Sequence, residues 1–392
     1  MRYSKVITQI FFSVLDNDSQ TDTLNRKIAQ LSPSGCQELY SFVNASGLLP
    51  IFYKRVTGLD FPLRLISQLK SKYYRHLERN LILEQEAWKI LEQFRQANIL
   101  AVPLKGPILA KLLCNDVGLR QSPCDLDFLI KPEAMGSAES ALKNAGYESL
   151  NEDARGFLRF IKLKYGRQLH FVKKTKKAGH MRIDIDLHCD LRGLFSDTFL
   201  DDFWQDVKEL SYDGHLVFLP TKESQLLYLS LISFSTFEFV ELRYLYDVHK
   251  LITKFKTELN WEAILKKATR LRLEAYLWFA LKLSRDFFHT EIPQEFLNKL
   301  KPPFIKKRIL SFWINHDNIL FHREKVARSY TWRYFISNCL VRKDFVNILR
   351  SVGKKIFLPL KEVAGFYGRP TEKASYSLYL KRLLKPIYRF LH

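Results

Sequence analysis

The 392-residue chain predicts an α+β fold, in which a small mixed sheet is flanked by helices, a helical segment precedes it and a helical domain follows it. Three observations predict this. Residues 62–98 place Leu69, Tyr73, Leu77, Leu81, Trp88, Leu91 and Phe94 at helical spacing, with no Gly or Pro after Pro62. The pattern then changes to short alternating runs as far as about residue 200. From Thr221 onward the helical period returns.

Taken in order, residues 1–95 read as a helical lead-in and 96–200 as the α/β core. Residues 201–300 read as a helical domain and 301–392 as a basic, mostly helical end. Within the core, Ile99 to Val102 is a short apolar run ended by Pro103-Leu-Lys-Gly106. Pro107 to Leu113 follows as a helix, with proline suited to its first turn. Asp125 to Ile130 alternates as a strand does. Pro132 to Asn144 reads as a helix closed by Gly146. Gln168 to Lys173 and Met181 to His188, joined by the turn-like stretch 174–179, read as an antiparallel hairpin. Further on, Ser224 to Thr253 and Trp261 to Phe288 read as helices, the second capped by Asn260.

Hydrophobic residues make up 47% of the chain and aromatics 14%, enough for a sizeable core and unlike a disordered composition. The five cysteines are widely spaced without a CxxC pair, which excludes the usual zinc and disulfide frameworks and points to a reducing compartment. The apolar stretch from Val6 to Leu15 is interrupted by Thr8, Gln9 and Ser13 and followed by Asp16 and Asp18, so it does not read as a secretory leader. No apolar run reaches the ~18 residues of a membrane span. The expected location is cytoplasmic. Net charge is +21, and residues 301–392 hold 20 Lys and Arg against 5 Asp and Glu, or +15 of that total. Such a region favours polyanions: RNA, an anionic membrane surface or phosphorylated substrates.

The chemistry concentrates in the core. Asp125 and Asp127, two apart on a strand, project from one face while Leu126, Phe128 and Ile130 face the other way. Two carboxylates so placed repel each other unless water bathes them or a cation lies between them. Ile183-Asp-Ile-Asp-Leu-His188 repeats the pattern, with Asp184, Asp186 and His188 together on one face. A strand so built completes a carboxylate triad if it lies beside the first. Upstream, Lys105-Gly106 ends a strand and opens a helix, a place where backbone N–H groups and a positive helix end attract phosphate.

Leu104-Lys-Gly106, an Ala/Leu-rich helix, Leu119-Arg120 and Asp125-Leu-Asp-Phe-Leu-Ile130 together resemble the core of the uncharacterised nucleotidyltransferase family, within the DNA polymerase β-like superfamily. The resemblance continues through Asn144-Ala-Gly-Tyr147, Asp186-Leu-His188, Leu242-Arg-Tyr-Leu-Tyr-Asp247 and Leu259-Asn-Trp-Glu-Ala-Ile264, covering roughly residues 80–290. It implies a small nucleotidyltransferase-type mixed sheet and transfer of a nucleotide from an NTP donor to an unknown acceptor, with release of pyrophosphate. By position, Asp125 and Asp127 would hold Mg²⁺ (or Mn²⁺), with Asp186 as the third carboxylate, acting as base or second-metal ligand. Gly106 would line the triphosphate, with Lys105 and Arg120 neutralising its charge. His188 would orient Asp186, and Asp247 would anchor helices through a buried hydrogen bond. Superfamily members usually carry Gly-Ser where this chain has Lys105-Gly106, so the serine contact to phosphate is replaced or supplied elsewhere, Ser122 being near in sequence.

Two other readings stay open at this level. A glycosyltransferase also places a DxD at a strand end, although the thirty or so residues between the first strand and the acidic one are short for its nucleotide-binding half. A catalytically inactive protein could instead work through its basic tail, where Tyr376, Tyr379, Lys381, Arg382, Lys385, Tyr388 and Arg389 interleave charge with aromatic rings.

Overall fold

The computed structural model describes residues 3–16, 21–56, 58–121, 125–150, 168–174, 181–189, 197–234 and 242–313. The turn 175–179, Ser122 and the tail from Tyr376 to Leu391 lie outside them, as does most of the basic end.

Four helices open the chain: α1 (Lys5–Leu15), α2 (Thr21–Ala29), α3 (Pro33–Ser46) and α4 (Leu49–Arg55). Local chemistry sets their ends. Ser32 accepts a hydrogen bond from the Gly35 amide, Pro33 fills the first turn of α3, and Gly47 closes it at φ 76°. Then comes α5 (Leu63–Gln96), whose 34 residues form the spine of the molecule. Its first half packs Leu65, Leu69 and Tyr73 into a helical core. Its second half packs Leu83, Ala87, Leu91 and Phe94 against the sheet.

The sheet has the order β1 (Ala101–Pro103), β2 (Asp125–Ile130), β5 (Arg182–His188), β4 (Gln168–Lys174), β3 (Glu148–Ser149). Among the described strands only the β2–β5 pair is parallel, and β4–β5 is the antiparallel pair expected from the alternation. Leu126, Phe128, Ile130, Leu169, Phe171, Ile183, Ile185 and Leu187 form one face. They pack with α5 and with Met135, Ala138 and Leu142 of α7 (Met135–Asn144). Burying a side chain such as Phe128 contributes about 2 kcal/mol, which pins the register, since a one-residue slip would exchange the apolar and acidic faces. Between β1 and β2, α6 (Gly106–Cys114) and a 3₁₀ turn, Val117–Leu119, lie across α5.

After α8 (Asp197–Gln205), the chain forms a hairpin of β6 (Val207–Tyr212) and β7 (His215–Pro220) that the sequence reading left inside a helical domain. Its signal was the Asp213-Gly214 pair, with φ 55° and 78°, as a two-residue hairpin turn needs. The remaining helices among the described residues are α9 (Lys222–Ile232), α10 (Leu242–Lys254), α11 (Trp261–Arg270), α12 (Glu274–Phe288), α13 (Gln294–Leu300) and α14 (Phe304–Trp313). Helices α1–α4 share one apolar core with α9–α13.

Two long helices expected from periodicity are not continuous. Residues 224–253 include the helical stretches α9 and α10, with 235–241 outside the description. Residues 261–288 break at Arg272, which takes φ 59° while the Leu273 amide bonds back to the Ala268 carbonyl at 2.8 Å. A left-handed non-glycine residue costs about 1–2 kcal/mol. Burial of Leu271 and Leu273 on either side offsets it, and neither Gly nor Pro marks the break.

One half-buried histidine predicts a pH response. His249 Nδ1 lies 2.9 Å from Thr290 Oγ1, whose own hydrogen goes to the Ser284 carbonyl, so the ring nitrogen donates. Burial and the nearby charges of Lys250, Arg55 and His289 push the pKa of His249 down to about 4. Unfolded, the ring takes up a proton near 6.5, so between those values the unfolded chain binds more protons. Stability therefore falls as pH falls from 6.5 towards 4, by up to about 3 kcal/mol from this residue. Urea unfolding of wild type and His249→Gln at about pH 7 and about pH 4.5 checks it, and an unchanged acid loss in the variant counts against the assignment.

Candidate active site

The register of β2 on β5 builds the site. Parallel pairing sets Asp125 beside Asp184 and Asp127 beside Asp186, so four carboxylates share the face opposite the apolar one. Asp127 and Asp186 are only 3% and 8% exposed, which removes bathing water as the remedy for their repulsion. Potential ligand atoms of Asp127, Asp186 and His188 all lie within 4.8 Å of one another. Asp125 stands outside that group, one step back along β2. Its Oδ1 is buried without a hydrogen-bond partner among the described residues. Burial, then the charge of Asp127, raises the Asp125 carboxyl above its usual range, while Lys105 opposes the shift.

Each neighbour has a defined place. His188 was expected to orient Asp186, and here the structure corrects the reading: its Nε2 lies 2.8 Å from Asp127 Oδ1. A carboxylate only accepts, so Nε2 donates. The reason is register, because His188 pairs with Leu129, beyond Asp127 on the neighbouring strand. Lys105 caps α6, is 9% exposed, and brings Nζ to 3.5 Å from Asp127 Oδ2. Gly106 adopts φ 76°, and an added Cβ would meet nothing closer than 3.8 Å, so backbone conformation and not space calls for glycine there.

Arg120 and Asp247 find each other. Arg120 Nε lies 3.0 Å from both Asp247 oxygens and Nη2 lies 2.9 Å from Oδ2, with both residues buried. Burial opposes the guanidinium charge, but Asp247 more than offsets this and raises the Arg120 pKa. The pair ties the segment before β2 to the middle of α10, so Asp247 is an anchor and Arg120 is its partner.

Two residues were missed. His170 on β4 spans Asp186 (Nδ1 to Oδ1, 2.6 Å) and Asp184 (Nε2 to Oδ1, 2.9 Å), and Arg182 donates to the same Asp184 oxygen. Both ring nitrogens face acceptors, so the ring carries two N–H groups. The bond to Asp186 raises its pKa accordingly. The alternation of Leu169 and Phe171 was the available signal, since it puts His170 on the acidic face. The second is Arg79 on α5, whose charge reaches Asp125 and Asp184. Only the packing of α5 brings it there.

A family described as "Uncharacterised nucleotidyltransferase" matches residues 32–289, about two thirds of the chain. The chain belongs to this family. The nucleotidyltransferase match spans α3 to α12, so it takes in helices on both sides of the sheet as well as the sheet itself. Membership makes nucleotidyl transfer the general activity and a transferase the general class. No curated protein and no solved structure matches the chain. No described helix is long and apolar enough to cross a membrane.

Proposed function

We propose that the chain moves an NMP from an NTP donor to an acceptor with release of pyrophosphate, using a divalent ion held by Asp125, Asp127 and Asp186. The observation that carries this is the parallel pairing that sets Asp127 beside Asp186 within a buried acidic face. The residues suit such an ion. Carboxylate oxygens favour hard cations such as Mg²⁺ or Mn²⁺, and Asp125 Oδ1 is a buried acceptor with no described partner. His188, already bonded to Asp127, orients that carboxylate.

In this reading, the backbone at Gly106 and the ammonium of Lys105 line the triphosphate at the N-terminus of α6. Arg120 acts through its field, because Nε and Nη2 are occupied by Asp247. A bound Mg²⁺ or Mn²⁺ would polarise the α-phosphate and neutralise charge on the departing oxygens. The acceptor oxygen forms a bond to the α-phosphorus as the bond to the bridging oxygen breaks. Pyrophosphate leaves with the electron pair, and Asp186 receives the acceptor's proton. His170 holds Asp186 at its Oδ1 while this happens.

The test is turnover by the full chain with Mg²⁺ or Mn²⁺ and each labelled NTP, read as pyrophosphate release and label transfer. Metal-dependent release that is lost in Asp125→Ala and Asp127→Ala supports the reading. Turnover of UDP-sugars in place of NTPs, or release unaffected by either substitution, overturns it.

A further inference from the structure

Positive charge gathers on one ridge of α5, whose last member, Arg79, reaches the acids Asp125 and Asp184. Lys72, Arg75, His76 and Arg79 stand at positions i, i+3, i+4 and i+7, hence on one side of the helix along about 10 Å. His76 is 8% exposed, and its Nε2 has no hydrogen-bond partner among the described residues. Burial, and then the charges of Lys72, Arg79 and Arg75, hold its pKa down at about 4, so the ring is neutral. Among the described residues, Lys72 and Arg75 pair with no carboxylate, and Arg75 Nε lies 3.4 Å from the Ser71 carbonyl.

The ridge is fastened to the active site. Asn80, fully buried, donates from Nδ2 to the Val117 carbonyl at 2.7 Å and to the Arg120 carbonyl at 2.8 Å. Those carbonyls belong to the segment leading into β2. Arg79, next along the helix, is the member whose charge reaches Asp125 and Asp184. The ridge thus begins at the acidic start of β2 and runs back along α5.

We propose that this ridge is the polyphosphate-binding wall of the active site, with Arg79, His76, Lys72 and Arg75 taking the phosphate oxygens beyond the one undergoing attack. The proposal rests on the nucleotidyl-transfer reading above and assigns its donor subsite. A guanidinium offers paired N–H groups matched to phosphate oxygens, and a lysine adds a point charge. A buried imidazole meets only a ligand that enters between the elements, which suits a compact polyphosphate better than a nucleic-acid backbone crossing the surface.

Calorimetry of the full-length protein with inorganic tripolyphosphate and Mg²⁺ tests the assignment without needing the donor base or the acceptor. Arg79→Ala is expected to weaken binding roughly tenfold to a hundredfold. Because Arg79 is half-buried, the exposed-side pair Lys72→Glu and Arg75→Glu serves as a second variant, with a similar loss and a shallower salt dependence. Arg95→Ala, near the far end of α5 and paired with Glu92, should bind as wild type does. Wild type that fails to bind tripolyphosphate, or folded variants that bind it unchanged, overturn the proposal. Weakened binding of a short oligonucleotide with tripolyphosphate unaffected also overturns it, and moves the ridge to an acceptor. Ridge-dependent tripolyphosphate binding without NTP turnover would leave the wall standing and remove the reaction.

Discussion

Asp127→Asn is expected to lower metal-dependent NTP turnover by at least about a thousandfold while leaving the fold intact. Asparagine keeps the shape of the side chain and an oxygen for His188 Nε2, so the bond to β5 survives. What disappears is the charge that faces Lys105 at 3.5 Å and lies beside Asp186. Titration with Mn²⁺ followed by electron paramagnetic resonance should show the loss of affinity directly, apart from any assay of turnover. Asp125→Asn supplies a contrast. Its carboxyl is raised above the usual range by burial and by Asp127, so above its unfolded pKa the charged form weakens the metal-free fold. The substitution should therefore raise the unfolding temperature of metal-free protein while reducing activity. Wild-type turnover in Asp127→Asn, or a lowered unfolding temperature in Asp125→Asn, would show that the acidic face has been misjudged.

The second large effect concerns stability. Asp247→Leu leaves the Arg120 guanidinium buried without its carboxylate and is expected to cost about 3–5 kcal/mol. Arg120→Leu alone should cost a similar amount, because it strands a buried carboxylate. Replacing both by leucine should restore most of the loss, since desolvating a buried pair takes back much of what its attraction supplies. Urea denaturation of the four proteins forms the cycle that measures the coupling. Because the pair holds the segment ahead of β2 against α10, single variants should also lose turnover, and the double variant should regain less of it than of stability. Single variants as stable as wild type would remove the anchoring role.

The acidic site shows where sequence reading succeeds. Alternation alone assigned Asp125 and Asp127 to one face of their strand and Asp184, Asp186 and His188 to one face of theirs, because the side-chain period of a strand is two. The same rule applied to Leu169 and Phe171 would have placed His170 with the acids. The hairpin of β6 and β7 was written in Asp213-Gly214. The break at Arg272 was not written locally at all. It arises because burying Leu271 and Leu273 outweighs the conformational cost of a left-handed arginine.

Local pattern, then, determined which side chains share a face, where α5 and the core strands run, and that a Lys-Gly turn precedes an acidic strand. Those are properties of neighbours in the chain, governed by periods of 2 and 3.6 residues. Tertiary structure alone decided that β5 lies parallel against β2 with Asp127 beside Asp186, that Arg120 pairs with Asp247, and that Arg79 reaches the acids from α5. Such pairings join residues dozens to more than a hundred positions apart. They follow from the burial of two apolar cores around α5, and no local period records that.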